Sequence, residues 1–388
     1  METAMTSSQL SGSEKYKILS HTGDTMTEQP VKDIIEHLGR HLPDIDQKDT
    51  VLLTGTGEKI PIQSDKFKEI HNIENPKKIA FVDGGEGVLE EAPNFLIMIN
   101  RIYFSLFCGR ERVKLKTRPR AEFFSIVSTS VTPGENPSIT YSTILFPHTD
   151  ADRQYQPEET DLTLTSNDTT ALQGSRINSQ SRSFAEWKLA RHVVKKELDK
   201  GDIIVMDGSL QTGFKNEARY TEDFYHEATS KGVIVCGLSK TSRLVTEVGE
   251  PLFVKISEMG KDIKCRWYLD IAKKISRGEK GHVFAVKLHP GSRAVYRFEI
   301  LQDQFEKMND EEINDILASL AANSGDVAMP GYPYGLVDAD RFAQVRNNEL
   351  GMYRRDALSR IMHYKGGKNI LKYINANKSH EHLNGVTS

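Results

Sequence analysis

Two short runs constrain the fold of this chain more than anything else in it. They are "KKIAFVDGGEGVL", residues 77–89, and "DIIVMDGSLQTGF", residues 202–214. Each is a run of apolar and β-branched residues, the pattern of a buried strand, and each ends in Asp-Gly. A carboxylate at the end of a buried strand is costly unless something pairs with it. Two such ends in one chain, Asp83 and Asp207, imply a shared site. Taken singly, Asp-Gly after a strand is also an ordinary turn signal.

The intervening sequence predicts how the two ends meet. "NFLIMINRIYFSLF" has bulky residues on both faces of a strand, and Asn100 and Arg101 interrupt it, so it is no membrane span. "AEFFSIVSTSV" and "SITYSTILFP" are further β-rich runs around the turn "TPGENP". Residues 148–183 are polar and predict an exposed loop. "SFAEWKLARHVVKKEL" then predicts a helix, with Ser183 as N-cap and Glu186 as its capping-box partner. Its buried stripe is Phe184, Trp187, Ala190, Val194 and Leu198. After Asp207 come a helix over about 217–230 and a third buried strand, "GVIVCGLSKTSRL", with Lys240 at its end. A β-hairpin around "HVFAVKLHPGSRAVYRFEI" and a helix near 310–322 complete the C-terminal part.

Strands in meander, then helix, strand, helix, strand, is the order of a ribonuclease H-like core. The expected fold is α/β, a mixed sheet with helices on both faces, plus an additional C-terminal β-hairpin and helices. In that layout the first and fourth strands are neighbours, which places Asp83 beside Asp207. The expected organisation is a polar segment and short helix over 1–45, the helix carrying Val31, Ile34, Ile35, Leu38 and Leu42 at helical spacing. A single large domain follows over 46–364, its ribonuclease H-like core about 78–240, then a frayed polar tail over 365–388.

Two adjacent carboxylates repel each other unless one holds a proton or a cation lies between them. Magnesium and manganese prefer oxygen donors, and pairs of such ions about 4 Å apart serve phosphodiester cleavage. Glu186 is the best third acid, because its helix leads into the strand of Asp207. Lys240 is placed to steady a phosphate or simply to be solvated. Tyr332, Tyr334, Asp338 and Asp340 crowd one late segment. His148, His192, His226 and His289 show no zinc spacing, and "GTGEK" near Gly55 lacks a phosphate loop's length. The formal net charge of −3 rules out a global basic field, though a local patch or a charged partner can still attract nucleic acid. Three scattered cysteines, Cys108, Cys236 and Cys265, read as buried reduced thiols of a cytoplasmic protein, and the polar N-terminus carries no apolar signal core.

"FVDGG", a Glu-bearing helix before "VMDGSL", "GLSKTSRL" and "YPYGLVDADRFAQV" resemble, in order, the motifs of the NurA nuclease family over about 78–347. That resemblance implies a manganese-binding DNA nuclease acting with HerA, a hexameric ring-shaped DNA-translocating ATPase, and forming a homodimer on the ring. It implies Asp83, Glu186 and Asp207 as metal ligands (Mn2+ or Mg2+) and a catalytic Tyr332 or Tyr334. Two departures stand out: Asp-Gly-Gly replaces the more usual Asp-Gly-Ser, and Asp340 stands where a His is common. The competing readings are an actin-like ATPase and a non-catalytic adaptor docked on an ATPase ring.

Overall fold

The computed structural model describes residues 28–42, 44–167, 174–273, 275 and 278–386. The chain divides into two compact units, 1–47 and 48–388. In the first, helix α1 (Glu28–His41) follows the predicted periodicity, but Ile34, Ile35, Leu38 and Leu42 are exposed.

The second unit is built on one large mixed sheet. Its strands are β1 (Thr50–Leu53), β2 (Lys59–Ile62), β3 (Lys68–Glu69), β4 (Lys78–Ala92), β5 (Phe95–Cys108), β6 (Glu111–Arg112), β7 (Arg120–Thr132), β8 (Ser138–Pro147), β9 (Leu164–Ser166), β10 (Ile203–Asp207), β11 (Ile234–Ser239), β12 (Val245–Thr246), β13 (Trp267–Lys273), β14 (Gly281–Lys287) and β15 (Tyr296–Leu301). The helices are α2 (Gly174–Lys196), α3 (Glu217–Lys231), α4 (Leu252–Met259), α5 (Gln302–Phe305), α6 (Asp310–Ala322), α7 (Tyr334–Ala343), α8 (Asn347–His363) and α9 (Gly367–Val386). The main sheet runs β3-β13-β14-β15-β11-β10-β4-β5-β7-β8-β9, with β6 paired to β5; β12, β1 and β2 form a small second sheet.

The ribonuclease H-like order is realised. β4, β5, β7 and β8 form an antiparallel meander, and β10 then lies parallel to β4, with Ile203 opposite Ile79 and Met206 opposite Val82. β11 adds in parallel on the far side of β10. The expected C-terminal hairpin, β14–β15, is part of the sheet and pairs with β11.

Side-chain alternation along β4 builds two cores. Ala80 and Val82 point to one face, under Phe184, Trp187 and Leu189 of α2 and Phe224 of α3. Ile79 and Phe81 point to the other, under Ile316 and Leu317 of α6 and Leu336 of α7. All five predicted stripe residues are buried, Leu198 lying just past the end of α2. Gly335 lets α7 approach so closely that a Cβ there would run into the Phe81 ring.

Four local expectations are corrected. Helix α2 begins at Gly174, so Ser183 lies in its interior and caps nothing; its hydroxyl donates to Glu217, 2.9 Å away. The polar stretch 148–183 therefore contains short 3-10 turns, β9 and the first turns of α2, with residues 168–173 outside the described set. Residues 367–386 form a helix where a frayed tail is expected. Of the three thiols, Cys236 is buried, Cys265 half-buried and Cys108 exposed.

Candidate active site

Asp83, inside β4, and Asp207, at the end of β10, lie on adjacent parallel strands one rung beyond the Val82–Met206 pair; the first strand does not end at Asp83 as the sequence predicts but runs on to Ala92. Asp83 shares the face of Phe81, the face covered by α7, and α7 brings Asp340 to the same point. Asp83, Asp207 and Asp340 each present a carboxylate oxygen within 4.8 Å of the others. Lys240, just past the end of β11, bridges two of them, 2.8 Å from Asp207 and 3.4 Å from Asp340. Its ammonium also lies 5.6 Å from the centre of the Tyr332 ring. The Tyr332 hydroxyl is buried and has no hydrogen-bond partner among the described residues.

The charges in this cluster do not balance. Burial, then Asp207 and Glu186, push the Asp83 carboxyl up to about 8, against the opposing pull of the Gly84 N–H and Lys240. Near neutrality Asp83 therefore keeps a proton. Burial, followed by the charges of Asp207 and Asp83, also raises the Tyr332 hydroxyl, which stays protonated.

Glu186 arrives from the opposite face of the sheet. The residue after Asp83 points toward α2, and it is Gly84; a Cβ there would overlap the Glu186 carboxylate. The alternative reading of Glu186 as a helix cap is excluded, because it lies three turns inside α2. It is ion-paired with Arg182, one turn earlier, whose guanidinium also reaches Glu86 (3.2 Å) and the Gly84 carbonyl (3.4 Å). Burial raises the Glu186 carboxyl, and Arg182 opposes that rise. Glu186 thus adjoins the carboxylate triple without joining it. Neither Tyr334 nor Asp338 enters the site. Tyr334 is 38% exposed and rests edge-on against Phe107; Asp338 is buried and paired with Arg112 at 2.5 Å.

Two buried acids hold the frame, and both escape sequence reasoning. Glu299 accepts from the Leu210 N–H at 2.9 Å and from Arg297 at 2.7 Å, which pins the turn after Asp207. Glu217 accepts from Ser183, Trp187 and the N–H groups of Gly213 and Phe214, tying α2 to that same loop. Arg182 and Glu86 escape it too. The only signal available for them is the four-residue spacing of Arg182 from Glu186 on a helix.

Residues 77–345 match the family model described as the NurA domain. The chain belongs to the NurA family. Comparison with curated proteins finds no significant match. Among solved structures, it is similar to the NurA nuclease from Sulfolobus solfataricus at 14% identity, covering 91% of this chain and 98% of that one, with a TM-score of 0.46. It is also similar to Ciona intestinalis Endonuclease V in complex with DNA (11% identity, 72% and 91% coverage, TM-score 0.32). A third likeness is to Aquifex aeolicus Argonaute (9% identity, 71% and 29% coverage, TM-score 0.29).

Both departures from the usual NurA pattern have a structural reading. In Asp-Gly-Gly, Gly85 returns to the α7 face, where a Cβ would run into the Ala343 carbonyl group at the end of that helix. Asp340, in the place of the common His, supplies a third carboxylate beside Asp83 and Asp207. Three hard oxygen donors around an excess of negative charge fit a divalent cation such as Mg2+ or Mn2+. Among the described residues no helix is long and apolar enough to cross a membrane.

Proposed function

We propose that this NurA-family chain is a divalent-metal-dependent deoxyribonuclease that hydrolyses phosphodiester bonds. The observation that carries the reading is the convergence of Asp83, Asp207 and Asp340, with Asp83 holding a proton because burial and the neighbouring acids outweigh the single Lys240 cation. Asp83, Asp207 and Asp340 would hold the ion, with Glu186 beside them. Manganese or magnesium supplies Lewis-acid polarisation of the phosphodiester and a more acidic water.

The chain's own groups do the rest. Lys240 is half-exposed at the mouth of the cluster, where its ammonium contacts a phosphate oxygen of the substrate. Tyr332, protonated and unpartnered, offers its O–H to a substrate oxygen. Gly208, with φ +125° and open space where a Cβ would stand, leaves room for substrate backbone after Asp207.

A near-neutral chain grips DNA weakly by itself, since duplex affinity comes largely from neutralised phosphates. A ring that holds the strand would supply that grip, which supports action with a HerA-like hexameric ATPase; the proposal is completed by a homodimer in the cytoplasm, in DNA end processing or defence against foreign DNA. Asp83→Asn and Asp207→Asn are expected to abolish cleavage of labelled DNA with an unchanged circular dichroism spectrum. Wild-type cleavage should stop with chelator and need no ATP. Full activity in either variant sinks the assignment, and ATP hydrolysis by the chain alone supports the actin-like alternative. Light scattering with and without the ATPase tests the assembly; a strict monomer that degrades duplex rapidly without it refutes the partnership.

A further inference from the structure

Between β5 and β7 the sequence reads "GRERVKLKTRPR". Every second residue from 110 to 120 is a cation: Arg110, Arg112, Lys114, Lys116, Arg118 and Arg120, against a single acid, Glu111. The structure sorts this alternation by face. Arg110, Arg112, Lys114, Lys116 and Arg118 are exposed, while Val113, Leu115, Thr117 and Pro119 turn inward. Val113 and Leu115 pack against the core beneath α2. The backbone is pinned at both ends and in the middle. Val113 N–H donates to the Leu106 carbonyl at 2.8 Å, and Phe104 N–H to the Pro119 carbonyl at 3.0 Å. Between them the buried Glu197 carboxylate accepts from the N–H groups of Lys116 and Thr117. The charged edge is thus a fixed track, not a loose tail.

Its cations are unevenly matched. Arg112 faces Asp338, Arg118 faces Asp152 and Arg120 faces Glu122. Arg110, Lys114 and Lys116 are in no ion pair among the described residues. In extended chain, alternate side chains recur about every 6.6 Å. The strip also leads to the acids: Arg120 lies directly opposite Tyr103, which lies directly opposite Asp83, two strand spacings or about 10 Å away.

We propose that residues 110–120 form a phosphate-binding track that guides a DNA strand along the sheet edge to the Asp83–Asp207–Asp340 cluster. This deepens the nuclease reading and rests on it for the choice of DNA as the polyanion. The track concentrates positive charge in a chain whose net charge is −3, the local patch such a protein needs to engage a backbone.

The test uses the full chain, a labelled oligothymidylate and chelator, so that binding is read without cleavage. Removing one lysine's hold on a phosphate lowers the salt slope of single-strand binding by about 0.7, so Lys114→Gln with Lys116→Gln should lower it by about 1.4. From a common value at 1 M salt, that slope makes the variant about 25-fold weaker at 0.1 M. The melting temperature should not change, and Lys114→Arg with Lys116→Arg should restore both affinity and slope. Equal affinity and slope in the glutamine variant would overturn the track. So would unchanged DNA binding with weakened docking of an ATPase ring, which would make the strip a protein contact. A wild-type chain that shows the lysine-dependent slope yet cleaves nothing with any divalent ion would leave the track standing and end the nuclease reading.

Discussion

Metal uptake at the acidic cluster should release close to one proton at neutral pH. Asp83 titrates near 8 in the metal-free protein because burial, Asp207 and Glu186 all disfavour its charge. At pH 7 a group with that value is protonated in about nine molecules of ten. A dication among Asp83, Asp207 and Asp340 favours the ionised form, so binding should expel about 0.9 proton at pH 7 and about 0.1 at pH 9. The assay is a calorimetric titration of manganese at fixed pH in buffers of small and large ionisation enthalpy. The dependence of the heat on the buffer gives the proton count. Asp83→Asn should remove both the released proton and most of the affinity. The same shift makes apo-protein stability depend on pH. The folded value lies above the unfolded 3.8, so the folded state alone keeps the proton between about 4 and 8. Asp83's contribution is fully present below that window and is lost as pH rises through it. At about 1.4 kcal/mol per unit its upper limit is about 6 kcal/mol. Asp83→Asn should flatten that slope and be the more stable protein at pH 8. Buffer-independent heats at pH 7, or a wild-type apo-protein no less stable at pH 8 than at pH 5, would refute the reasoning.

Other residues give sharper local tests. Glu217→Ala leaves the buried Trp187 N–H without its acceptor and releases the N–H groups of exposed Gly213 and half-buried Phe214 to water; at about 1–3 kcal/mol for the buried orphan it should cost at least about 1 kcal/mol in urea unfolding, and no loss of stability contradicts the pinning role. Gly84→Ala should displace the Glu186 carboxylate and lower both activity and melting temperature, and Glu186→Ala in the same chain should restore most of the melting temperature; no recovery would place the clash elsewhere. Asp340→His restores the residue common in the family, and an imidazole suits manganese better than magnesium. Magnesium affinity should fall further than manganese affinity, and equal losses would remove Asp340 from the ligand set.

The strands carrying the two acids are the most legible part of the sequence, because β-branched runs followed by Asp-Gly are local patterns, although only Asp207 ends its strand and β4 runs on through Asp83 to Ala92. The adjacency of Asp83 and Asp207 then follows from element order alone, through the parallel pairing of β4 with β10. Asp340 sits in a crowded segment where residue type does not separate it from Asp338, two residues away; its place in the family motif singles it out, and the packing of α7 on β4 brings it to the other two acids. Glu186 is legible as the third acid, from the helix that leads into the strand of Asp207, but the cap assigned with it does not exist. The helix reaches back through Ser- and Gln-rich sequence to Gly174, where Gln180 and Ser181 are fully buried, and polar composition hides that. Glu217 and Glu299 are illegible for a different reason. Glu299 accepts from the N–H of Leu210, remote in sequence, and Glu217 joins nearby N–H groups of its own turn to the remote side chains of Ser183 and Trp187, so neither carries a local pattern that distinguishes it from a surface glutamate.

The glycines after Asp83 show how one strand builds the site from both sides of a sheet. Successive residues of β4 alternate faces, so Asp83 and Gly85 look toward α7 while Gly84 looks toward α2. A carboxylate reaching in from α2 must pass beside the strand, and only the missing Cβ at Gly84 permits it. The end of α7 must come down onto the strand for Asp340 to reach Asp83, and only the missing Cβ at Gly85 permits that; Gly87 admits Leu350 of α8 in the same way. An Asp-Gly turn at this position would need one glycine for its backbone. Here β4 continues to Ala92 with no turn, and Asp83, Gly84 and Gly85 all keep ladder partners on β5. These two glycines therefore serve the approach of acids from opposite faces and not a change of chain direction. The Ser more usual in this family at the position of Gly85 would force the end of α7, and Asp340 with it, away from the strand.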